Sequence, residues 1–388
     1  MKRTLIVVGL LAVLGLAYMH WVLPGKVEAS LNIVLPHQAY AISDEARRLH
    51  ESMFVVDFHS DSLLWKRDLT KESSIGHMDV PRLKAGNVAL QVFSATTKSP
   101  ANLNYSSNKS GSDDITLLAV VSMWPPRTWF SLYERAVYQL DKLHAVAQDS
   151  ELVVIKSKQD LENLIENRSK GEPVIGGLYL IEGAHPLEGN IGNLDRLFEQ
   201  GLRIVGLTHF FDNELGGSLH GTSGEGLNDF GRSVIRRANE LNLIIDVAHA
   251  SPAMVEDVLA LSFAPVILSH GGLKGACDTD RNLSDALMKR LASKGGLIGI
   301  GYWDAAVCDA SPEGIVRSIR YAIDLLGVGH VALGSDYDGT VHAPFDTSEL
   351  SVLTEVMLQS DFSEEEIRKV LGENAKHFLL ENLPGDTL

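Results

Sequence analysis

The sequence predicts one (β/α)8 barrel of the TIM type, a single catalytic domain preceded by an N-terminal transmembrane or signal helix. The chain has 388 residues, which is enough for one such barrel. From about residue 53, short β-branched or apolar runs alternate with longer amphipathic stretches. Eight such units indicate a parallel sheet closed into a barrel.

Composition places the chain among globular proteins, with 22% charged and 45% hydrophobic residues. A formal net charge of −16 argues against nucleic acid as a partner, since binding a polyanion needs a basic surface. The two cysteines, Cys277 and Cys308, both follow the N-terminal helix. A disulfide is permitted in an exported domain, and two buried free thiols are an equally ordinary alternative.

The N-terminus begins with an apolar run over residues 4–23, preceded by Lys2 and Arg3. About 20 apolar residues suffice to cross a bilayer, and the basic residues keep their end cytoplasmic. We therefore predict residues 1–29 as a signal or membrane anchor and residues 30–388 as the catalytic domain, outside the cytoplasm in a periplasmic or extracellular location. An uncleaved anchor is favoured, although Ala29 offers a cleavage site that would make the protein secreted.

Each barrel strand is predicted from a short apolar run. The predicted strands are 53–59, 88–94, 174–182, 202–209, 243–249, 265–270, 297–302 and 330–336. The predicted helices are 127–148, 190–200, 226–241, 251–262, 284–294, 311–326, 347–358 and 363–381. Ser251, Ser311 and Ser363 are helix start signals. Residues 96–126, rich in Ser, Asn and Gly, are predicted to be a surface excursion.

Potential metal ligands stand at the carboxyl ends of most predicted strands. They are His59, Asp61, Glu182, His209, His249, His270 and Asp336. In a barrel these ends converge on the face that carries the active site. A single histidine or carboxylate there is more often structural, but burying the whole set without a metal ion would be costly. We therefore predict a metal centre.

Imidazoles and carboxylates without a thiolate favour zinc, with manganese, cobalt or iron as lesser options. Three histidines, one aspartate and one glutamate exceed what one open zinc site needs, and a carboxylate can bridge two ions. Two ions that share a water can generate a hydroxide, which indicates hydrolysis. His209 and Asp336 then remain for stabilising an oxyanion and for moving a proton.

Seven segments together resemble the membrane dipeptidase (renal dipeptidase) family of zinc peptidases, within the amidohydrolase-like barrels. They are VVDFHSDSLLW, YLIEGAH, GLTHF, GLNDFGRSVIRRANELNLIIDVAHAS, APVILSHGG, DRNLSD and VALGSDYDG. They occur in the family's order across residues 45–380. The resemblance implies a dinuclear zinc dipeptidase that cleaves free dipeptides, including some with a C-terminal D-residue, through a metal-bridging hydroxide.

The resemblance also implies the ligands of each ion. His59 and Asp61 are expected to bind one zinc ion, and His249 and His270 the second. Glu182 is expected to bridge the two ions and thereby to take part in catalysis.

Further roles are implied by the same resemblance. His209 is expected to contact the substrate carbonyl, and Arg281 the C-terminal carboxylate. Asp336 is expected to contact the substrate and to transfer the proton. Cys277 and Cys308 are expected to form a disulfide, and a homodimer is expected by analogy.

Three features bear on alternatives. The segment WDAAVC after Tyr302 lacks a tyrosine that relatives carry near there, so side-chain preference is open. Another barrel hydrolase, acting on an amide, lactone or phosphoester, is disfavoured because no lysine for a carboxylated bridge lies between Pro173 and Glu182. A membrane-tethered binding protein with a degenerate site is disfavoured because every ligand is present.

Overall fold

The computed structural model describes residues 2–385, and its central element is a closed parallel barrel. The strands in this part of the chain are β1 Ile33–Val34, β2 Val55–Asp57, β3 Val88–Thr96, β4 Leu152–Val154, β5 Ile175–Glu182, β6 Leu202–Gly206, β7 Ile244–Asp246, β8 Ile267–Gly271, β9 Leu297–Ile300, β10 Val331–Leu333 and β11 His342–Ala343. The order is β3-β2-β10-β9-β8-β7-β6-β5-β4, and β3 also pairs with β5. This pairing closes an eight-stranded barrel, which confirms the predicted fold, and leaves β4 as an addition to β5.

The chain has sixteen α-helices among the described residues, and those from residue 44 onward pack around the barrel or its loops. The helices are α1 Lys2–Ala17, α2 Leu23–Leu31, α3 Asp44–Glu51, α4 Val80–Ala85, α5 Asp114–Val121, α6 Leu132–Gln148, α7 Lys158–Ser169, α8 Gly192–Gln200, α9 Asp229–Glu240, α10 Pro252–Leu261, α11 Asp285–Ser293, α12 Asp304–Val307, α13 Pro312–Leu326, α14 Ser351–Gln359, α15 Glu364–Arg368 and α16 Asn374–Asn382. Ser251, Ser311 and Ser363 each accept a backbone N–H at the start of a helix, as the start signals predict.

The barrel strands are shorter at their carboxyl ends than the sequence predicts, except for β3, β5 and β8. Asp57 accepts the backbone N–H of His59 at 2.9 Å and that of Ser335 at 3.1 Å. Asp246 accepts the N–H groups of Ala248 and Ser269 at 3.0 and 2.9 Å. At these two ends, side-chain acceptors replace carbonyl partners, so the chain leaves the sheet before it reaches His59 and His249.

The apolar core has two layers. Inside the barrel, side chains such as Val56, Leu90, Leu180 and Ile204 pack together in a cluster closed by residues of α16. A larger cluster fills the space between the strands and the outer helices. Because β5 alternates, Leu178 and Leu180 face the interior, and Glu182 follows them at the same spacing at the mouth.

The N-terminal helical run and the excursion after β3 add detail that the sequence did not predict. Among the described residues, one helical run, Thr4–Leu31, is long and apolar enough to cross a membrane. Its last turns form α2, which crosses the predicted domain boundary at residue 29; that boundary stays a prediction. The excursion at 96–126 is not wholly a surface loop, since it contains α5 and buries Thr97 and Asn108.

Candidate metal centre

The predicted ligands converge around one carboxylate at the barrel mouth. The Oε1 atom of Glu182 lies 3.6 Å from His59 Nε2, 3.2 Å from His249 Nε2 and 3.5 Å from His270 Nε2. His59 Nε2 also lies 3.3 Å from Asp61 Oδ2, and the His59 and His270 ring centroids are 3.9 Å apart. All five side chains are buried. Glu182 is therefore within reach of His59, which neighbours Asp61, and also of His249 and His270.

The two remaining candidates border the same cluster. His209 Nε2 lies 3.4 Å from Glu182 Oε2, and Asp336 Oδ1 lies 3.8 Å from His59 Nε2. His209 Nδ1 is 3.3 Å from the Lys98 carbonyl, which fixes the side of the ring that faces Glu182. Three overlapping sets of three donor atoms within 4.8 Å of one another arise here. They are His59, His270 and Asp336; Glu182, His209 and His249; and His59, Asp61 and Glu182.

The distribution of charge in the centre favours the binding of cations. Burial lowers the pKa of His59, but Glu182 and Asp61 raise it more strongly, to about 10. Burial raises the pKa of Asp336 well above its ordinary value. Burial and the nearby Arg281 guanidinium hold the pKa of His249 well below its usual range. The carboxylates thus attract positive charge, while His249 presents the neutral imidazole that binds metal ions.

Two histidine rings meet through their Nε2 atoms. His249 Nε2 and His270 Nε2 are 3.0 Å apart, and both point at Glu182 Oε1. The other nitrogen of His270 contacts Ser269 Oγ at 2.9 Å, and that hydroxyl also donates to Asp246 at 2.6 Å. Support of one ring nitrogen by an outer hydroxyl and carboxylate is typical of metal-binding histidines. His270 has this support, whereas His249 Nδ1 has no hydrogen-bond partner. The donor set therefore fits metal ions, as predicted for the mouth.

Backbone strain is concentrated in the same place. His249 and Asp336 have φ of 62° and 61°, a left-handed conformation that costs a non-glycine residue roughly 1–3 kcal/mol. Gly339 keeps the loop close to the site. A Cβ there would lie 2.2 Å from Asp336 Oδ1 and 2.7 Å from Asp61 Oδ2. The left-handed backbone at Asp336 and the close approach of Gly339 therefore position the Asp336 and Asp61 carboxylates at the site.

Arg281 lies beside the cluster of candidate metal ligands and carries a free donor. Its side chain is buried, its Nη2 donates to the His270 carbonyl at 2.8 Å, and its Nε has no hydrogen-bond partner. The guanidinium lies 5.4 Å from the Trp303 ring centroid. Among residues 2–385, no carboxylate approaches it within 4.0 Å. A buried guanidinium with an unpaired donor is a candidate partner for an anionic ligand.

Several site residues were missed by the sequence reasoning. Thr96 Oγ1 lies 2.8 Å from both Asp61 Oδ1 and Glu182 Oε2, at the end of a strand that is two residues longer than predicted. Tyr105, in the excursion, accepts a hydrogen bond from Trp303 Nε1 at 2.9 Å. Its carbonyl contacts His220 Nδ1 at 2.7 Å. The excursion therefore covers one side of the mouth.

A sequence signal exists for one further pair. Asp57 and Asp246 each precede a mouth histidine by two or three residues, in DFH and DVAH. Each then holds the neighbouring strand by accepting its N–H. Cys277 and Cys308 form a disulfide. It links the segment that carries Arg281 to the segment that carries Trp303.

Comparison with known proteins identifies the family. A family model described as membrane dipeptidase (peptidase family M19) matches residues 43–381. The dipeptidase aclJ of Aspergillus oryzae is 27% identical over 352 residues, which cover 84% of this chain and 77% of that protein.

Solved structures share the fold. A metallo peptidase from Rhodobacter sphaeroides, liganded with a phosphinate mimic of the dipeptide L-Ala-D-Ala, superposes with a TM-score of 0.70 at 23% identity, covering 85% of this chain and 99% of that one. The probable dipeptidase PvdM from Pseudomonas aeruginosa gives 0.72 at 19% identity, covering 87% and 97%. The family match covers most of the chain, and a cluster of buried groups that could hold metal ions lies at the barrel mouth. The chain therefore belongs to the membrane dipeptidase family, whose members are metallopeptidases, and it is a hydrolase.

Proposed function

We propose that the protein is a dinuclear zinc dipeptidase that hydrolyses the peptide bond of free dipeptides. The observation that carries this proposal is the position of Glu182, whose Oε1 atom lies within 3.6 Å of the Nε2 atoms of His59, His249 and His270. One carboxylate within reach of both pairs of proposed ligands suits a pair of ions that share it.

The two halves of the cluster supply the ligands. His59 and Asp61 would hold one zinc ion, His249 and His270 the other, and Glu182 both. The absence of thiolates in this donor set and the presence of imidazoles favour zinc. When bound, such a pair polarises a carbonyl and lowers the pKa of a shared water.

Arg281 would bind the substrate's C-terminal carboxylate. Its guanidinium is buried and has an unpaired Nε–H. A planar fork can donate two parallel hydrogen bonds to one carboxylate. Because Arg281 contacts the His270 carbonyl, this position would leave room for one residue between the scissile bond and the free carboxylate, so peptides with a blocked C-terminus would bind poorly.

Asp336 and His209 would serve the reacting atoms directly. Asp336 lies at the edge of the cluster, and burial raises its pKa, so that it holds a proton readily. It would take the proton of the attacking water and deliver it to the leaving amine as the C–N bond breaks. His209, facing Glu182 through Nε2, would donate to the carbonyl oxygen as negative charge develops there.

The substrate class includes dipeptides with a D-residue at the C-terminal position. The Rhodobacter sphaeroides metallo peptidase of the same fold is liganded with a mimic of L-Ala-D-Ala. The contacts proposed here engage the carboxylate, the carbonyl and the metals, and none of them reads the configuration of the second residue.

The protein would act at a membrane, with its catalytic domain outside the cytoplasm. The helical run Thr4–Leu31 is long enough to span a bilayer, and Lys2 and Arg3 precede its apolar part. The homodimer implied by the family resemblance stays a prediction.

One paired measurement on the full chain in detergent tests this function: metals per chain by elemental mass spectrometry, and amino acids released from L,L and L,D dipeptides. We expect close to two zinc ions and chelator-sensitive cleavage of free dipeptides, with C-terminally blocked dipeptides cleaved much more slowly. Two ions without dipeptide turnover would refute the substrate, and a chain that holds no metal would refute the mechanism.

A further inference from the structure

Exposed hydrophobic side chains of the barrel domain are concentrated in one segment. Between residues 32 and 385, the large exposed ones other than Leu35 are Leu103, Leu117, Met123, Phe130, Val153 and Phe263. The first four all lie in the excursion after β3 and in the turn that follows it, and Phe130 is 91% exposed. Scattered apolar residues need no explanation, but this grouping indicates an interaction surface.

The helix that can cross a membrane contacts this segment directly. His20 Nδ1 lies 2.9 Å from the Val121 carbonyl at the end of α5, and Lys66 Nζ donates to the His20 carbonyl at 2.6 Å. Val27 of α2 packs against a small cluster that includes Trp65 and Trp124. The base of the membrane helix and the excursion therefore form one continuous surface.

Buried ionic contacts hold this base in place. Arg67 donates to Glu28 on α2 and also to Asp338 in the loop after β10, and both carboxylates are buried. Downstream, Asn32 Oδ1 accepts the N–H of Thr340 at 2.8 Å, and β1 pairs with β11. The chain between the membrane helix and the barrel is consequently a fixed connection, and the barrel keeps one orientation relative to the helix.

We infer that residues 114–130, here named the foot segment, rest on the lipid bilayer beside the anchor helix, with Leu117, Met123 and Phe130 in the interface. This inference depends on the membrane anchoring proposed above. Aromatic and apolar side chains favour the interfacial layer, and the basic residues Lys26 and Lys66 at the base suit anionic headgroups in a chain whose net charge is −16. A bilayer is the one partner that the adjoining helix must already contact.

The inference has a consequence for the active site. The excursion leaves the barrel at the carboxyl end of β3, the same end that carries Glu182 and His59. A bilayer under the foot segment would therefore lie next to the mouth. Dipeptides released at the membrane surface would reach the metal centre without crossing the bulk solvent.

Fluorescent labels on the full chain in lipid vesicles test the inference. The native cysteines form a disulfide, so Phe130→Cys and Phe263→Cys each offer one free thiol for a nitrobenzoxadiazole label. The two phenylalanines are matched, at 91% and 92% exposed. Lipids brominated on the acyl chain should quench the label at 130 about twofold, as expected for side chains ~5–10 Å into the interface, and should leave the label at 263 unchanged.

The outcomes separate the foot segment from the anchor. Vesicle flotation reports the anchor: a chain that fails to float would refute the anchoring on which the inference rests. A floating chain whose label at 130 behaves like that at 263 would overturn the foot segment alone. The fluorescence emission of the label at 130 could also shift to the blue in proportion to protein concentration, without quenching by brominated lipid. That result would overturn the inference in favour of contact between two chains. Leu117→Cys gives a second position if Phe130→Cys fails to fold, and retained dipeptide hydrolysis shows that each variant is native.

Discussion

Two aspartates in one loop show how buried charge differs between a binding site and a structural network. Asp336 and Asp338 both follow β10, both are buried, and both have φ above 60°. Burial raises the pKa of each. For Asp338 the Arg67 guanidinium reverses the shift and holds the pKa well below its usual range. For Asp336 the pKa stays well above it.

The difference lies in the donors that the chain itself provides. Asp338 accepts hydrogen bonds from Arg67, from the Ser62 hydroxyl and from the His77 backbone N–H. Asp336 faces His59 in a cluster where Asp61 and Glu182 add further negative charge. A buried carboxylate whose negative charge is balanced by a side chain of the protein is structural. A buried carboxylate without such a partner marks a place for a cation or a substrate.

The largest effect is expected from Glu182→Gln. The amide keeps the size of the side chain but loses the negative charge that the two pairs of proposed ligands share. We expect metal content to fall and kcat to drop by about 10⁴-fold or more, as for other groups central to a catalytic unit. Elemental mass spectrometry and dipeptide hydrolysis on the same preparation measure both. Glu199→Gln, on the exposed face of α8, is the control, and full zinc content with unchanged turnover in Glu182→Gln would disprove the bridge.

Asp336→Asn tests the role of the aspartate in the candidate metal centre. The substitution removes the proton-transferring carboxyl and leaves the five proposed ligands in place. We expect normal metal content, normal stability and a kcat lower by about 100–1,000-fold, within the usual range for a general acid-base group. Wild-type turnover would remove Asp336 from the reaction.

Asp338→Asn tests the structural half. Arg67 would lose one buried partner and keep Glu28, so we expect a loss of about 3 kcal/mol in the free energy of unfolding, the low end for a broken buried pair. Denaturant unfolding measures this loss. Metal content and kcat should stay near wild type at temperatures where the variant is folded, and an Asp338→Asn protein with normal stability but no activity would contradict the division between the two aspartates.

The same pair makes a prediction about pH. Because the pKa of Asp338 is lower in the folded state than the ordinary value of about 3.9, its contribution is complete above that value and is lost as pH falls through the folded pKa. The wild-type free energy of unfolding should therefore decline below about pH 4 more steeply than that of Asp338→Asn. Parallel curves for the two proteins would show that Asp338 carries no such linkage.

Sequence patterns predicted the barrel because its signals are local. Each of the eight strands is a short apolar run, and β5 ends on Glu182 as predicted. The positions of His59, His249 and His270 at strand ends then followed from the topology, since parallel strands bring their carboxyl ends to one face.

Other site residues carry no such local signal. Tyr105 is one aromatic residue in a polar stretch, and its approach to Trp303 depends on how the excursion folds back. Thr96 matters only because the strand continues to it. Pairing between Arg67 and Asp338 joins residues far apart in sequence, and no periodicity reveals it.

Arg281→Ala gives the smallest expected effect and sharpens the comparison from the substrate side. Like Asp336, Arg281 is buried and only partly satisfied by the chain, so its missing partner should be the substrate carboxylate. Hydrogen bonds to charged groups contribute about 1.5–3 kcal/mol, which corresponds to a rise in KM of about 10–100-fold for free dipeptides. Steady-state kinetics on free and C-terminally amidated dipeptides separate the contributions. Amidated substrates, already poor, should change little, and Arg290→Ala on the exposed side of α11 should change neither. An equal loss on both substrate types would show that Arg281 supports the fold of the mouth and does not recognise the carboxylate.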